Sequence, residues 1–465
     1  MNPTRTDNIL VVLYLLLWLS AFFAYHRKNR QTDAGSVIIV TYIIYAFFSI
    51  LTLNRPIEIL AYYDFNHLTL FPFVYLFVML IIALTPLIRA HFVPAWHIEN
   101  TSSMVLYVIA SITILSALIM LPGIVMNFSD GLFKLITDMD AGKDAYGEQL
   151  ENAAESGGGI SNIPAILFNA LSEISIFIFY YFLAFSAKNR WLVSGLGVST
   201  VVAVLQPIME GQRGMVINTI FTVIGGYFLF KRYLSDKIRK VVRWIGVVVI
   251  GLVLVPVCTI TISRFSNQKS TVTDYVNWYI GQGNLYFNNY ALDDNGIRYG
   301  DRTFNFVKRL VSPKASRNYV DRRDTFSNLY VNDDVFTTFV GDFAIDFGPI
   351  VAFLLFVVFN AWVLYATRVR RQSLKTHQLL LLYFTMCVCM QGGMTLFSFS
   401  DTANLKMICF ALLYVYLAVY DMVLSKYPRK IIFVRHRADA SSGKRMIIIK
   451  KNGCSKPKTS QVLRN

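Results

Sequence analysis

Apolar runs of roughly 17 to 26 residues recur along this chain, and each can cross the hydrocarbon core of a bilayer as a helix. Inside lipid every backbone N–H and C=O needs an internal partner, so only helices and closed barrels can span. A barrel would show alternating apolar and polar positions over strands of about ten residues. The runs here are continuous instead. A soluble chain of 465 residues would make two or three domains. A chain that is 55% hydrophobic and only 15% charged, with a mean hydropathy of +0.48, reads instead as an all-α, polytopic membrane protein. The pattern predicts about eleven transmembrane helices, near 8–24, 35–53, 69–88, 103–126, 162–187, 191–209, 214–230, 243–262, 347–366, 378–396 and 405–423. The first run, Ile9 to Ala24, has only Arg5 before it and no small-residue cleavage site after it. It reads as a span rather than a removable leader.

The net charge of +16 raises the question of nucleic acid, but its distribution answers differently. With the N-terminus outside, the interior connectors hold sixteen Lys and Arg residues and the short exterior segments six. That asymmetry is the positive-inside bias of a membrane protein, and it orients the C-terminus inward. No nucleic-acid partner is expected. The tail, 424–465, carries twelve more basic residues and reads as a cytoplasmic segment drawn to anionic lipid. Four of the five cysteines fall in spans and Cys454 in the tail, so no structural disulfide is expected. Only His67 of the six histidines is exterior, and no P-loop or dinucleotide fingerprint is present. Neither metal nor cofactor is expected.

The chain divides into 1–262 with eight spans, a large exterior loop at 263–346, three spans in 347–423, and the tail. A second long exterior loop, 127–161, has seven carboxylates and a Gly157-Gly158-Gly159 run, which read as a flexible solvated segment. The large loop is different. Between 264 and 346 it holds ten Lys or Arg, ten Asp and sixteen aromatic residues, a composition that predicts a packed cap lying on the membrane. Within it, Thr303 followed by Phe304, Phe306, Val307 and Leu310 predicts a short helix capped by Thr303.

Two stretches carry candidate chemistry. Glu210-Gly211-Gln212-Arg213-Gly214 is a tight turn between the sixth and seventh spans. An Arg213 guanidinium beside helix N–H groups would favour a phosphate or diphosphate; anchoring to headgroups is the alternative. The other is Gly341-Asp342-Phe343-Ala344-Ile345-Asp346-Phe347-Gly348. On a helix, Asp342 and Asp346 lie one turn apart, where they could raise one another's pKa and leave one as a general base. Pairing with loop arginines is the competing reading. Arg264, Arg298 and Arg302 supply further cations, and Arg298-Tyr299-Gly300-Asp301-Arg302 reads as an ordered turn. Mid-span charge is nearly absent, with Glu173 the exception. That weighs against an ion-driven transporter.

These residues resemble the Wzy-type O-antigen and capsule repeat-unit polymerases. The likeness rests on the number of spans, the dominant late exterior loop, the GQRG turn, the 296–302 stretch, and Asp342 with Asp346-Phe347-Gly348. The related O-antigen ligases typically carry an exterior-loop histidine that this chain lacks. The resemblance implies a glycosyltransferase of the bacterial inner membrane that polymerises undecaprenyl-diphosphate-linked oligosaccharides at the periplasmic face, in lipopolysaccharide or capsule synthesis. It implies a periplasmic N-terminus, a cytoplasmic C-terminus, and a flippase and chain-length regulator as partners. Asp342 or Asp346 would be the base, while Arg213, Arg298, Arg302, Arg264 and Glu210 would hold diphosphate or glycan. The other readings are a flippase of lipid-linked sugars and a non-enzymatic assembly partner.

Overall fold

The computed structural model describes residues 3–28, 31–55, 65, 67–99, 104–137, 163–186, 189–209, 212–265, 271–312, 325, 328–331, 335–370, 372–393, 401–423 and 431–432. The protein is an all-α helical membrane protein. Its helices are α1 (Arg5–Lys28), α2 (Ala34–Leu53), α3 (Leu70–Phe92), α4 (Met104–Thr137), α5 (Ile163–Phe185), α6 (Arg190–Met209), α7 (Arg213–Phe230) and α8 (Asp236–Phe265). They continue with α9 (Val272–Tyr286), α10 (Asn305–Val311), α11 (Thr338–Phe347), α12 (Pro349–Ala366), α13 (Thr376–Gln391) and α14 (Asp401–Val423). Among the described residues, nine helices are long and apolar enough to cross a membrane: α1 to α6, α8, α12 and α14.

The other two expected spans are short. α7 has 18 residues, of which Gly214–Phe230 is the apolar part, and α13 has 16, about 27 and 24 Å of helix. The apolar pattern placed the end of α13 near 396, but the helix stops at Gln391 and turns through Gly392. Elsewhere helix runs past the apolar stretch. α4 continues to Thr137, beyond the boundary predicted at 126, and α8 begins at Asp236 rather than 243. Hydropathy locates the part of a helix that lipid covers, not where its backbone hydrogen bonds end. Residues 138–162, most of the acidic loop, lie outside the described residues.

Successive spans alternate in direction, which gives the bundle two ends. One end carries a small sheet in the order β2-β1-β3: β1 (His97–Glu99) pairs parallel with β2 (Ser373–Lys375) and antiparallel with β3 (Ile431–Ile432). The described part of the tail is therefore a strand added to β1. Basic connector residues gather at this end. Arg89 Nη1 donates to Leu364 O at 2.9 Å, Lys231 Nζ donates to Thr32 O at 3.3 Å, and the Arg232 guanidinium lies over Trp96. Asp33 caps α2 here and accepts from Tyr25 and His91.

The opposite end holds the large loop, and the loop penetrates the bundle instead of forming a separate layer over it. Thr271 opens α9 with a capping box to Asp274. The helix then runs down along the last turns of α2. Thr52 Oγ1 donates to Asn277 O at 2.6 Å, Ser49 Oγ donates to Gly281 O at 2.8 Å, and Asn284 Nδ2 donates to Ser49 Oγ at 3.0 Å. A Cβ at Gly281 would lie 2.3 Å from Phe48 O, so only glycine allows this approach. Deeper still, Gly283 faces Gly393, and Gly393 lies against the Tyr45 ring. Tyr45 is eight residues from the end of α2, so the loop reaches roughly 12 Å into the bundle. A re-entrant backbone at that depth survives only because protein groups satisfy its polar atoms.

The aromatic content of the loop made it look like a surface cap. Several of those rings are instead packed inside the bundle, for example Tyr286 edge-on to Phe65 at 4.9 Å and Phe287 stacked on Tyr75 at 6.1 Å, while Tyr299 and Tyr330 are exposed. This packing generates a prediction. Gly281→Ala should lower the thermal unfolding temperature of purified protein by several degrees, since the added methyl meets backbone oxygen. Gly246→Ala on α8, where a Cβ meets nothing within 4 Å, should leave it unchanged or slightly raised.

Candidate active site

The end of the loop is organised around α11. Gly348, with φ of 78°, breaks the helix, and Pro349 at the next position starts α12. Asp342 and Asp346 therefore do lie one turn apart on a helix directly above a span. The turn 298–303 packs against them. Asp301 N donates to Arg298 O at 3.1 Å, and Tyr299 and Gly300 at its centre have φ of 53° and 82°. This is the ordered turn that the glycine and alternating charges predict.

The carboxylates and arginines form one knot. Arg302 Nε donates to Asp342 Oδ1 at 2.5 Å, and its Nη2 donates to Val335 O at 3.0 Å. Asp346 Oδ1 accepts from Arg302 N at 3.0 Å, while Oδ2 accepts from Thr303 N and Thr303 Oγ1, both at 2.6 Å. Arg298 Nη2 donates to Val331 O at 2.6 Å and lies 3.2 Å from Asp294 Oδ2; Asp294 Oδ1 in turn accepts from Val331 N. Thr337 Oγ1 donates to Asp342 Oδ1 at 3.3 Å. Asp342, Asp346, Arg298 and Arg302 are each at most 1% exposed.

The structure thus brings four of the expected site residues together, but as partners of one another. Asp342 pairs with Arg302 across 40 positions of sequence, the competing reading of the aspartates. Burial lifts the Asp346 carboxyl to about 6, against the pull of the Thr303 and Arg302 donors, which favour the ionised form. The cause is desolvation rather than repulsion from Asp342. Thr303 does not cap α10. Phe304 occupies the cap position, and the Thr303 hydroxyl is taken by Asp346. The hydroxyl is instead the donor of a charge-assisted bond to a buried carboxylate.

Arg213 opens α7, and the loop touches that turn. A Cβ at Gly214 would lie 3.6 Å from the Tyr279 hydroxyl on α9. Tyr279 packs edge-on against Phe336 at 5.0 Å, and Phe336 precedes the Thr337 that donates to Asp342. The two stretches singled out in the sequence are thus joined through Tyr279 and Phe336. The side chains of Arg213 and Arg264, and the whole of Glu210, lie outside the described residues. Asp401, at the start of α14, binds Arg309 and accepts from Asn305 Nδ2 at 3.4 Å. A cavity of about 270 Å³ opens beside the knot, between the 291–297 turn and the α11–α12 junction, with Asp293, Ile297 and Pro349 in its wall.

Sequence reasoning missed Thr303, Thr337 and the carbonyls of Val331 and Val335. Their only sequence signal is nearness to the motif residues. Nor did it pair Lys406, the second residue of the span expected at 405–423; the structure puts its Nζ 3.1 Å from Glu173 Oε1. No family model, curated protein or solved structure matches the chain.

Two outcomes follow for detergent-purified protein. Arg302→Ala leaves Asp342 buried without its cation, and should cost about 3–5 kcal/mol and expose the 298–312 segment to limited proteolysis. The raised Asp346 pKa means that the folded state holds its proton more tightly than the unfolded chain. Stability is then greatest below the unfolded value of 3.8 and falls as pH rises toward about 6, by roughly 3 kcal/mol in all. Asp346→Asn should flatten the dependence of unfolding temperature on pH between 4 and 6.

Proposed function

We propose that the protein is a glycosyltransferase that joins lipid-diphosphate-linked oligosaccharide repeat units, as the O-antigen and capsule polymerases do. The observation that carries this reading is the meeting of the Arg213 turn with the re-entrant loop at Gly214 and Tyr279. A transferase using a lipid diphosphate donor needs three things near the membrane surface: positive groups for the departing diphosphate, a base for the acceptor hydroxyl, and space for sugars and lipid tails. The start of α7 offers the positive end of a helix dipole, which favours phosphate. The loop offers aromatic and polar surfaces, together with the cavity beside Asp293 and Ile297. The short helices α7 and α13 adjoin the same region, where bilayer thinning would bring an interfacial headgroup closer.

In this reading Arg298, Arg302, Asp342 and Asp346 act as the frame that fixes the loop over the donor site. Arg213 acts on the substrate directly, with Arg264 and Glu210 near enough in sequence to the same end of the bundle to assist. The site faces the periplasm, with flippase and chain-length regulator as partners in the inner membrane. A flippase would move the same lipid without making bonds.

Full-length protein in liposomes, given lipid-linked oligosaccharide, separates these readings. New glycosidic bonds in the product support the transferase; transfer of lipid between leaflets without bond formation supports a flippase and sinks the proposal. Arg213→Ala should reduce polymer formation at least a hundredfold with an unchanged unfolding temperature. Asp342→Ala should lose polymer and stability together.

A further inference from the structure

A second polar group lies at the foot of the re-entrant loop, where α5, α7, α13 and α14 meet. Lys406 Nζ donates to Glu173 Oε1 at 3.1 Å, and Gln391 Nε2 donates to the same oxygen at 3.2 Å. Gln391 Nε2 also donates to Thr222 Oγ1 at 2.7 Å, and the Tyr383 hydroxyl donates to Glu173 O at 2.9 Å. Glu173 is ten residues into α5, roughly 15 Å from its start. The loop comes down to this level. Gly392 O accepts from Phe339 N on α11 at 2.9 Å, and Gly393 faces Gly283 on α9. Gln391 directly precedes this pair of glycines.

Resting on the transferase reading above, we propose that Glu173 is the base that accepts the proton of the acceptor-sugar hydroxyl. Lys406 and Gln391 are its positioning residues. Three features carry the assignment. First, an ion pair at this depth returns less than its desolvation costs, so a charge here points to chemistry rather than stability. Second, the pair is reachable: Glu173 is 15% and Lys406 19% exposed, whereas the knot carboxylates are at 0%. Third, both donors converge on Oε1, and among the described residues Oε2 accepts nothing. In the knot, by contrast, both oxygens of Asp346 are already occupied.

The step balances without another reactant. The acceptor hydroxyl gives its proton to Glu173 Oε2, and its oxygen forms the new bond to the anomeric carbon. The bond from that carbon to the diphosphate oxygen breaks, and its electron pair leaves on the diphosphate. Glu173 then returns the proton to water. Lys406 and Gln391, the latter braced by Thr222, hold Oε1 and fix the carboxylate plane, which leaves Oε2 to the acceptor hydroxyl. Among the described residues, the other ionisable groups facing Glu173 are the Cys387 thiol and the Tyr383 phenol, both on α13.

The test uses full-length protein in liposomes with lipid-linked oligosaccharide, and reads the initial rate of bond formation across pH. Glu173→Gln should lower the rate at least a hundredfold and remove the acid limb of the profile, with an unchanged unfolding temperature. Lys406→Met should lower the rate at least tenfold, and Lys406→Arg should restore most of it. Wild-type activity that survives Glu173→Gln within a fewfold overturns this assignment and leaves the transferase reading standing. A wild-type protein that forms no bonds overturns both. Should Glu173→Gln fail to fold, dicyclohexylcarbodiimide labelling of wild-type Glu173, read by mass spectrometry, decides. Lipid-linked oligosaccharide should protect the residue where lipid diphosphate alone does not; equal labelling in the two overturns the assignment.

Discussion

A guanidinium sealed from water must find its acceptors inside the protein, and in this chain two such groups set the shape of the loop. Arg302 reaches Asp342 and the Val335 carbonyl; Arg298 reaches Asp294 and the Val331 carbonyl. Each arginine therefore ties the 298–303 turn both to a carboxylate and to the backbone that leads into α11. Asp346 closes the arrangement from the helix side by accepting the Arg302 and Thr303 amides. None of these groups can be released singly, because the partner left behind would remain buried and charged. The knot thus defines one conformation of the loop end, and α12 descends from it through Gly348 and Pro349.

That rigidity allows the rest of the loop to lie where irregular backbone is costly. Below the knot, α9 descends beside α2 on hydrogen bonds from Ser49 and Thr52, and glycines permit contact at backbone distance. The same descent accounts for the short helices. α13 stops at Gln391 because Gly392 and Gly393 must receive Phe339 and Tyr45. A bundle of uniform spans would have no room for a loop at this depth.

The spans were legible because lipid imposes a length and an apolar composition that one sequence shows directly. The special character of 341–348 was legible too, from two aspartates at helical spacing before a Gly-Pro break. Their partners were not. Arg302 is 40 residues from Asp342, and six other loop arginines could have served as well by composition. The partner of Lys406 was hidden for a related reason. Its charge stands at the very start of an apolar run and reads as the edge of a span. The glutamate that makes it tolerable inside the bundle is 233 residues away. Hydropathy counts a charge as a cost and cannot see that another helix has met it.

The two charged groups of this protein divide by exposure, and the division bears on what each can do. A proton acceptor must have an oxygen that substrate can reach and a pKa set by neighbours that do not block it. In the knot, burial is complete and every Asp346 oxygen is spent on backbone or hydroxyl donors, so its raised pKa reflects confinement, not readiness for chemistry. At the foot of the loop, one oxygen of Glu173 carries the structural bonds and leaves the other to face the accessible side. A perturbed carboxylate is commonly taken as the mark of an active site. Here the perturbed carboxylate is sealed among its donors, while the partly exposed Glu173 beside Lys406 keeps one oxygen outside that bonding.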